Sequence, residues 1–297
     1  MFLTFAILYV FFNGVYGSYS QEIDIMLKTL NKPTLKTIKS EDGDIIDCVD
    51  IYKQPAFDHP LLKDHKIQMK PSVEFVSKRT NNIASNSSSK PVTSQIWTKS
   101  GRCPVNPRLF GDTRTRLFAY WTTDGYGKTG CFNLLCSGFV QISTHVALGA
   151  AINPISKKSG KQYYITISFF LDTNTGNWWI LVEDIVLGYW PGSLLKDLRH
   201  SATAVQWGGE VYSPKVRNKP HTKTSMGSGE WASNLYGKAC YFTNIKIMDY
   251  SLQLKYPQML SEFSDEFRCY STFLYREKDK LEPNFYFGGP GQNSQCP

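Results

Sequence analysis

The stretch Trp207-Gly208-Gly209-Glu210-Val211 is the part of this chain best equipped for chemistry. From Ala204 onward the pattern has period two. Val205, Trp207, Gly209 and Val211 share one side, and Ala204, Gln206, Gly208 and Glu210 the other, as in an extended strand. The two glycines before the acid predict a bulge or a close backbone approach that re-aims the next side chain. A carboxyl in that setting is half of an acid–base pair. One ionised carboxylate takes a proton from water. A second, protonated, polarises a carbonyl or donates to a leaving nitrogen. Two close carboxyls split their titrations, so both roles coexist in acid. Glu183, Asp184 and Glu230 are the candidate partners, and each reads first as a solvated surface acid.

Other reactive types are spaced for less. His59, His65, His145, His200 and His221 show no HExxH or other metal spacing, and no CxxC pair or His/Cys cluster exists, so no metal site and no cofactor is expected. Gly227-Ser228-Gly229 lacks the GxSxG context of a nucleophile elbow and reads as a turn. Trp178, Trp179, Trp190 and Trp207 could line a groove for a proline-rich peptide, although core packing is the commoner fate. Trp190 and Trp207 flank the Glu210 region and are the candidate groove residues.

The elements that must position Glu210 follow from pattern. Trp190-Pro191 breaks the chain, and Leu194, Leu195 and Leu198 then sit at helical spacing for a short helix. Strand-like runs recur at 117–121, 138–142, 163–170, 178–182, 205–212, 239–247 and 285–287. A hairpin turn is expected at 176–179. No long helical period appears, so a parallel α/β fold is excluded in favour of an antiparallel β-sandwich. The 14% aromatic content, with 22 Gly and 15 Pro, points the same way. Residues 21–75 are charged and short-segmented, with a helix expected at 23–30, a turn at Asp42 and Gly43, and a strand at 45–51. Residues 76–95 turn Asn- and Ser-rich and read as linker, and Asn86 opens an N-glycosylation sequon.

The net charge of +8 comes from Lys and Arg spread along the chain, which predicts a basic surface and no nucleic-acid groove. Residues 2–12 are apolar, too short for a comfortable bilayer span, and followed by Val15 and Gly17 at signal-peptidase spacing. The expectation is a signal peptide over 1–17, a secreted protein and no membrane span. In that compartment seven cysteines become a disulfide question, with one at least unpaired. The Cys131 to Cys136 spacing suits a small loop closure, and Cys296 a terminal staple.

Three stretches together resemble the plant neprosin family of secreted glutamic peptidases. Residues 30–72 are similar to that family's activation region. RLFGDTRTRLFAYWTTDGYGKTGCFNLLCSGFVQ, at 108–141, is the second. The third runs from GNWWILVEDIVLGYWP at 176–191, through WGGEV at 207–211 and TSMGSG at 224–229, to FYFGGPGQNSQC at 285–296. The resemblance implies a mainly β architecture, a small mixed pro-region before an antiparallel β-sandwich. It implies endopeptidase cleavage after proline in acid by two glutamates, hence proline-containing peptides as partners. It also implies disulfides Cys48–Cys103, Cys131–Cys136 and Cys269–Cys296, which leave Cys240 free. Glu210 matches one of the two glutamates.

The other belongs to an IEAGWxV-like context that precedes the RLFGD motif, and this sequence does not contain it. Residues 95–104 resemble the end of the activation region, and four residues later the chain is already at Arg108. A block is missing there, with the opening strands of the catalytic domain and the expected processing site. The division is then pro-region 18–75, linker and pro-region remnant 76–107, and an incomplete sandwich 108–297. No glutamate lies between Glu74 and Glu183 to replace the lost one. Losing strands bares sheet edges and apolar faces, so the domain should be destabilised unless the pro-region covers the gap. The functional expectation is an acid peptidase of impaired activity. The alternatives are a non-catalytic peptide binder, a sugar-binding sandwich, and an active enzyme whose coding sequence lost a block in assembly.

Overall fold

The computed structural model describes residues 9–10, 30–41, 43–72, 95–97, 99–100, 110, 112, 114–124, 128–249, 251, 253–277 and 281–297. In chain order the strands are β1 (Tyr9–Val10), β2 (Thr34–Lys39), β3 (Ile45–Val49), β4 (Gln95–Trp97), β5 (Lys99–Ser100), β6 (Ala119–Trp121), β7 (Cys131–Phe132), β8 (Val140–Gln141), β9 (Ser156–Lys157), β10 (Tyr164–Asp172), β11 (Asn177–Val182), β12 (Ile185–Trp190), β13 (Cys240–Thr243), β14 (Ile247–Met248), β15 (Leu254–Lys255), β16 (Ser271–Arg276) and β17 (Pro283–Gly288). Helix is confined to short 3-10 segments and a few isolated residues, and no described helix is long and apolar enough to cross a membrane.

The main sheet has eight strands in the order β16-β17-β13-β4-β10-β11-β12-β8, every neighbouring pair antiparallel. Local chemistry explains its best-formed part. β10 and β11 meet in register from Ile167↔Val182 to Asp172↔Asn177. The turn between them is closed by Gly176, at φ +73°, whose N–H reaches the Asp172 carbonyl at 2.7 Å. β11 and β12 are joined by Glu183 and Asp184 alone, both at positive φ, the geometry that fits strand twist in a two-residue hairpin. Pro191 and Gly192 then turn the chain back against that first hairpin. A Cβ on Gly192 would lie 2.4 Å from the Gly176 carbonyl oxygen, so only glycine allows the approach.

Alternation along these strands builds two cores. Ile167, Ile180, Val182, Leu187 and Trp190 face one way, into a cluster shared with Leu117, Ala119, Trp121 and Cys131 beside and within β6 and β7, and with Phe242, Phe285 and Phe287. Phe170, Trp179, Leu181 and Tyr189 face the other way and meet Ala56, with Phe57 and Ile67 packed against them. The mainly β, antiparallel reading is therefore correct. The main sheet is covered on one face by the β6–β7 sheet and on the other by Ala56, Phe57 and Ile67, while Leu62 of the same N-terminal segment joins the first cluster.

Several elements differ from the sequence expectation. The 3-10 turn Lys196–Leu198 stands where a short helix is expected, with Leu194, Leu195 and Leu198 buried. Residues 204–211 form no strand. They lie on the face of β17 instead of beside a neighbour, because two glycines let the backbone settle there. A Cβ on Gly209 would fall 2.7 Å from Met226 Cγ and 2.8 Å from Phe287 Cδ2. The run 239–247 divides into β13 and the start of β14, broken at Asn244, which sits at positive φ. The strand expected at 45–51 is β3, paired to β2 across a turn containing Gly43. The expected 23–30 helix lies outside the described residues except for Leu30, and Asn86 lies outside them too. Tyr9 and Val10, inside the expected signal peptide, pair with Tyr120 and Ala119. Most unexpected is β4. It comes from the presumed linker and remnant, yet it holds the middle of the main sheet.

Cys131–Cys136 and Cys269–Cys296 are disulfides. Cys240 is buried and belongs to neither disulfide. Cys48 is free among the described residues, and Cys103, its expected partner, lies outside them.

Candidate functional site

Glu210 sits on extended chain anchored on both sides. Trp207 packs partly buried against the main core. Gly209 rests on Met226 and Phe287. Val211 packs on the cluster of Cys269, Tyr270 and Cys296. The alternation read from sequence thus survives without a ladder only from Trp207 onward: Trp207, Gly209 and Val211 face the protein and Glu210 faces out, while Val205 is 55% exposed.

Its electrostatics are unusual for an exposed acid. The side chain is exposed, yet surrounding protein pushes its carboxyl above the ordinary glutamate value, by desolvation and by no charged neighbour. Among the described residues, none donates a hydrogen bond to it or forms an ion pair with it.

The three acids considered as partners are occupied elsewhere. Glu183 caps the β11–β12 turn, where its Oε1 accepts the Thr166 N–H at 2.6 Å. Asp184 is the second residue of that turn. Glu230 pairs with Lys158 and accepts from Asn234 Nδ2 at 2.9 Å. The structure brings none of them to Glu210.

The candidate groove residues also separate. Trp190 is 0% exposed and packs against Phe139, with ring centroids 4.6 Å apart, and against Phe169. It is a core residue and not a groove wall. Trp207 alone remains beside Glu210.

Behind the segment lies a polar brace that the sequence reading treated as ordinary. His221 is 4% exposed. Its Nδ1 is 2.9 Å from the Thr222 carbonyl oxygen and its Nε2 is 2.9 Å from Glu266 Oε2. Both ring nitrogens face acceptors, so both bonds form together only in the imidazolium. The Tyr270 O–H donates to the Thr224 carbonyl, and burial, with Glu266 second, raises its phenol. His221 and the two sulfurs of Cys269 and Cys296 lie within 4.8 Å of one another. The sulfurs are bonded to each other, so this trio braces the chain and offers no thiolate to a metal.

A second polar centre was missed. Asp172, at the end of β10, is 0% exposed. Its Oδ2 accepts from Gln68 Nε2 at 2.8 Å and from the Ser72 N–H at 2.9 Å, and its Oδ1 from the Asn174 N–H at 3.1 Å. Burial alone would raise this carboxyl. The donors outweigh it and hold it below the ordinary aspartate value. The LDTNTGN turn carries the local half of this signal, but nothing in sequence points to Gln68.

Comparison with known families gives two matches. A family model described as Neprosin matches residues 88–290, more than half of the chain. One described as Neprosin activation peptide matches residues 37–107. The matches overlap, and β4 lies in the overlap.

Proposed function

Because the chain belongs to the neprosin family, with that domain and its activation peptide both present, we propose that it is a secreted protein descended from post-proline glutamic endopeptidases, with peptide hydrolysis impaired. The observation that carries this reading is the solitude of Glu210 among the described residues. Its carboxyl is raised by burial alone, and no described acid stands near enough to shift it. A raised carboxyl can hold or deliver a proton in mild acid. It cannot at once be the base that activates water and the acid that protonates the leaving nitrogen. Losing one member of such a pair removes about 10²- to 10⁴-fold of rate. The two disulfides fit an oxidising compartment, which supports secretion.

The test is turnover of a proline-containing peptide in acid by the purified chain, with Glu210→Gln alongside. The expected result is no cleavage above the variant's level. Robust cleavage that Glu210→Gln abolishes would sink the reading, because a second acid must then act.

A second reading is a peptide binder that does not cut. Trp207 supports it, since a part-buried indole beside an exposed carboxyl can stack a prolyl ring. Titration of a proline-rich peptide, read by tryptophan fluorescence, is expected to saturate with the native chain and weaken with Trp207→Ala. An unchanged affinity would remove Trp207 from the groove.

A further inference from the structure

We propose that the activation region of this chain is a permanent layer of its fold, one cooperative unit with residues 108–297, and not a cover that can be taken off. Four separate contacts carry this.

The first is the sheet itself. β4, in the overlap of the activation-peptide and Neprosin matches and on the N-terminal side of Arg108, pairs with β10 through Tyr164↔Trp97, Ile165↔Ile96 and Thr166↔Gln95. On its other side it pairs with β13 through Phe242↔Ile96 and Thr243↔Gln95. It is what joins the β16-β17-β13 half to the β10-β11-β12-β8 half. Withdrawing it would open two inner edges at once, one on β10 and one on β13.

The second is the core. Leu62 is 0% exposed and belongs to the main cluster with Leu187 and Trp190, while Ala56 is 2% exposed among Phe170, Trp179 and Tyr189. Trp179 and Tyr189 are themselves 0% exposed. Removing residues 54–72 would uncover both, and large exposed aromatic patches are poorly tolerated by a soluble monomer.

The third is edge protection. The Gln141 N–H on β8 donates to Gln54 Oε1 at 2.8 Å, and Gln54 Nε2 donates back to the Gln141 carbonyl at 3.3 Å. The side-chain amide acts as a one-residue strand on the outermost strand of the sheet. Nearby, the Gln68 N–H donates to the Tyr189 hydroxyl at 2.9 Å, and the same hydroxyl is hydrogen-bonded to His65 Nε2 at 2.8 Å.

The fourth is charge. Asp44 accepts from Arg116 Nη1 at 3.0 Å and Nη2 at 2.9 Å, and also from Arg114. Asp112 closes the cluster on Arg116 at 2.6 Å. Arg116 is 4% exposed, so without Asp44 a buried guanidinium loses one of its two carboxylates.

The experiment inserts a site-specific protease sequence with flexible flanks between Cys103 and Arg108 of the full chain. After cutting, the two pieces are expected to elute as one species in size-exclusion chromatography, at neutral pH and at about pH 4, near the ordinary carboxylate range. If acid does separate them, the C-terminal piece is expected to lose its near-ultraviolet dichroism. An N-terminal piece that leaves while the remainder keeps the spectrum of the intact chain overturns the proposal. Leu62→Ala and Gln54→Ala in the uncut chain give the second arm. A single unfolding transition that shifts as a whole is expected. A main transition that stays in place while a separate, weaker one moves would also overturn it. Neither arm reads peptide cleavage, so this proposal and the catalytic reading can fail independently.

Discussion

Asp172 and Glu210 are two carboxyls against the same sheeted core, and burial pushes both upward in pKa. Only one ends up high. Asp172 meets donors from Gln68, Ser72 and Asn174, which turn the balance and keep it ionised. Among the described residues Glu210 meets none, and desolvation decides alone. The contrast teaches that burial sets the stakes and hydrogen-bond donors set the sign. It also separates two jobs. The donor-rich side is where the activation region is held. The donor-free side is where hydrolysis would need a second acid.

The largest effect should come from the held side. Leu62→Ala is expected to cost about 2–5 kcal/mol, as for other fully buried leucines, and to lower the melting temperature of the whole chain. A cost well under that range, in thermal unfolding, would mean the layer is loosely seated. Asp172→Asn comes next, at about 1–3 kcal/mol, because donors now face an amide that cannot accept them all. Its pH dependence has a definite sign. The folded carboxyl is depressed, so its contribution is present above the ordinary aspartate value and is lost as pH falls through the lower, folded one. Denaturant unfolding across a pH series should show the native-to-variant gap full at neutral pH and narrowing only in strong acid. Gly192→Ala, with the Gly176 carbonyl in its way, should cost about 1–3 kcal/mol by displacing backbone.

Glu210→Gln should have the smallest effect on stability and the opposite direction. A folded carboxyl raised above its unfolded value is unfavourable when ionised. The variant should therefore be slightly more stable at neutral pH, with the gap closing as pH falls through the raised folded value and gone once the ordinary glutamate value is reached. Because the side chain touches water, the gain is discounted by solvent screening. A loss of stability at neutral pH would show that Glu210 has a partner, and the contrast with Asp172 would fail.

The sequence was legible where local pattern and tertiary fate agree. Strands around Phe170, Trp179 and Phe285 carry short apolar, aromatic-rich runs bounded by turn residues and lie in sheets. Glu210 was legible because a Trp-Gly-Gly-Glu run has few uses. The strand expected across it was not, since extended period-two chain looks the same whether it pairs at an edge or rests on a face. Trp190 was misplaced for a related reason: an indole's type does not say which layer its strand will bury. Gln68 and Gln54 could not be foreseen at all. Each reaches the sheet through a partner roughly a hundred residues away, and an isolated glutamine has no periodicity to read.

The place of Gln95–Trp97 has a kinetic meaning as well. Its partners, Tyr164–Asp172 and Cys240–Thr243, are made much later in the chain, and neither can seal the sheet against the other without it. Closure must await three short pieces brought together over long loops, the kind of topology that folds slowly. While it waits, the growing polypeptide carries unsealed seams, and the cell must keep them from finding the wrong neighbour.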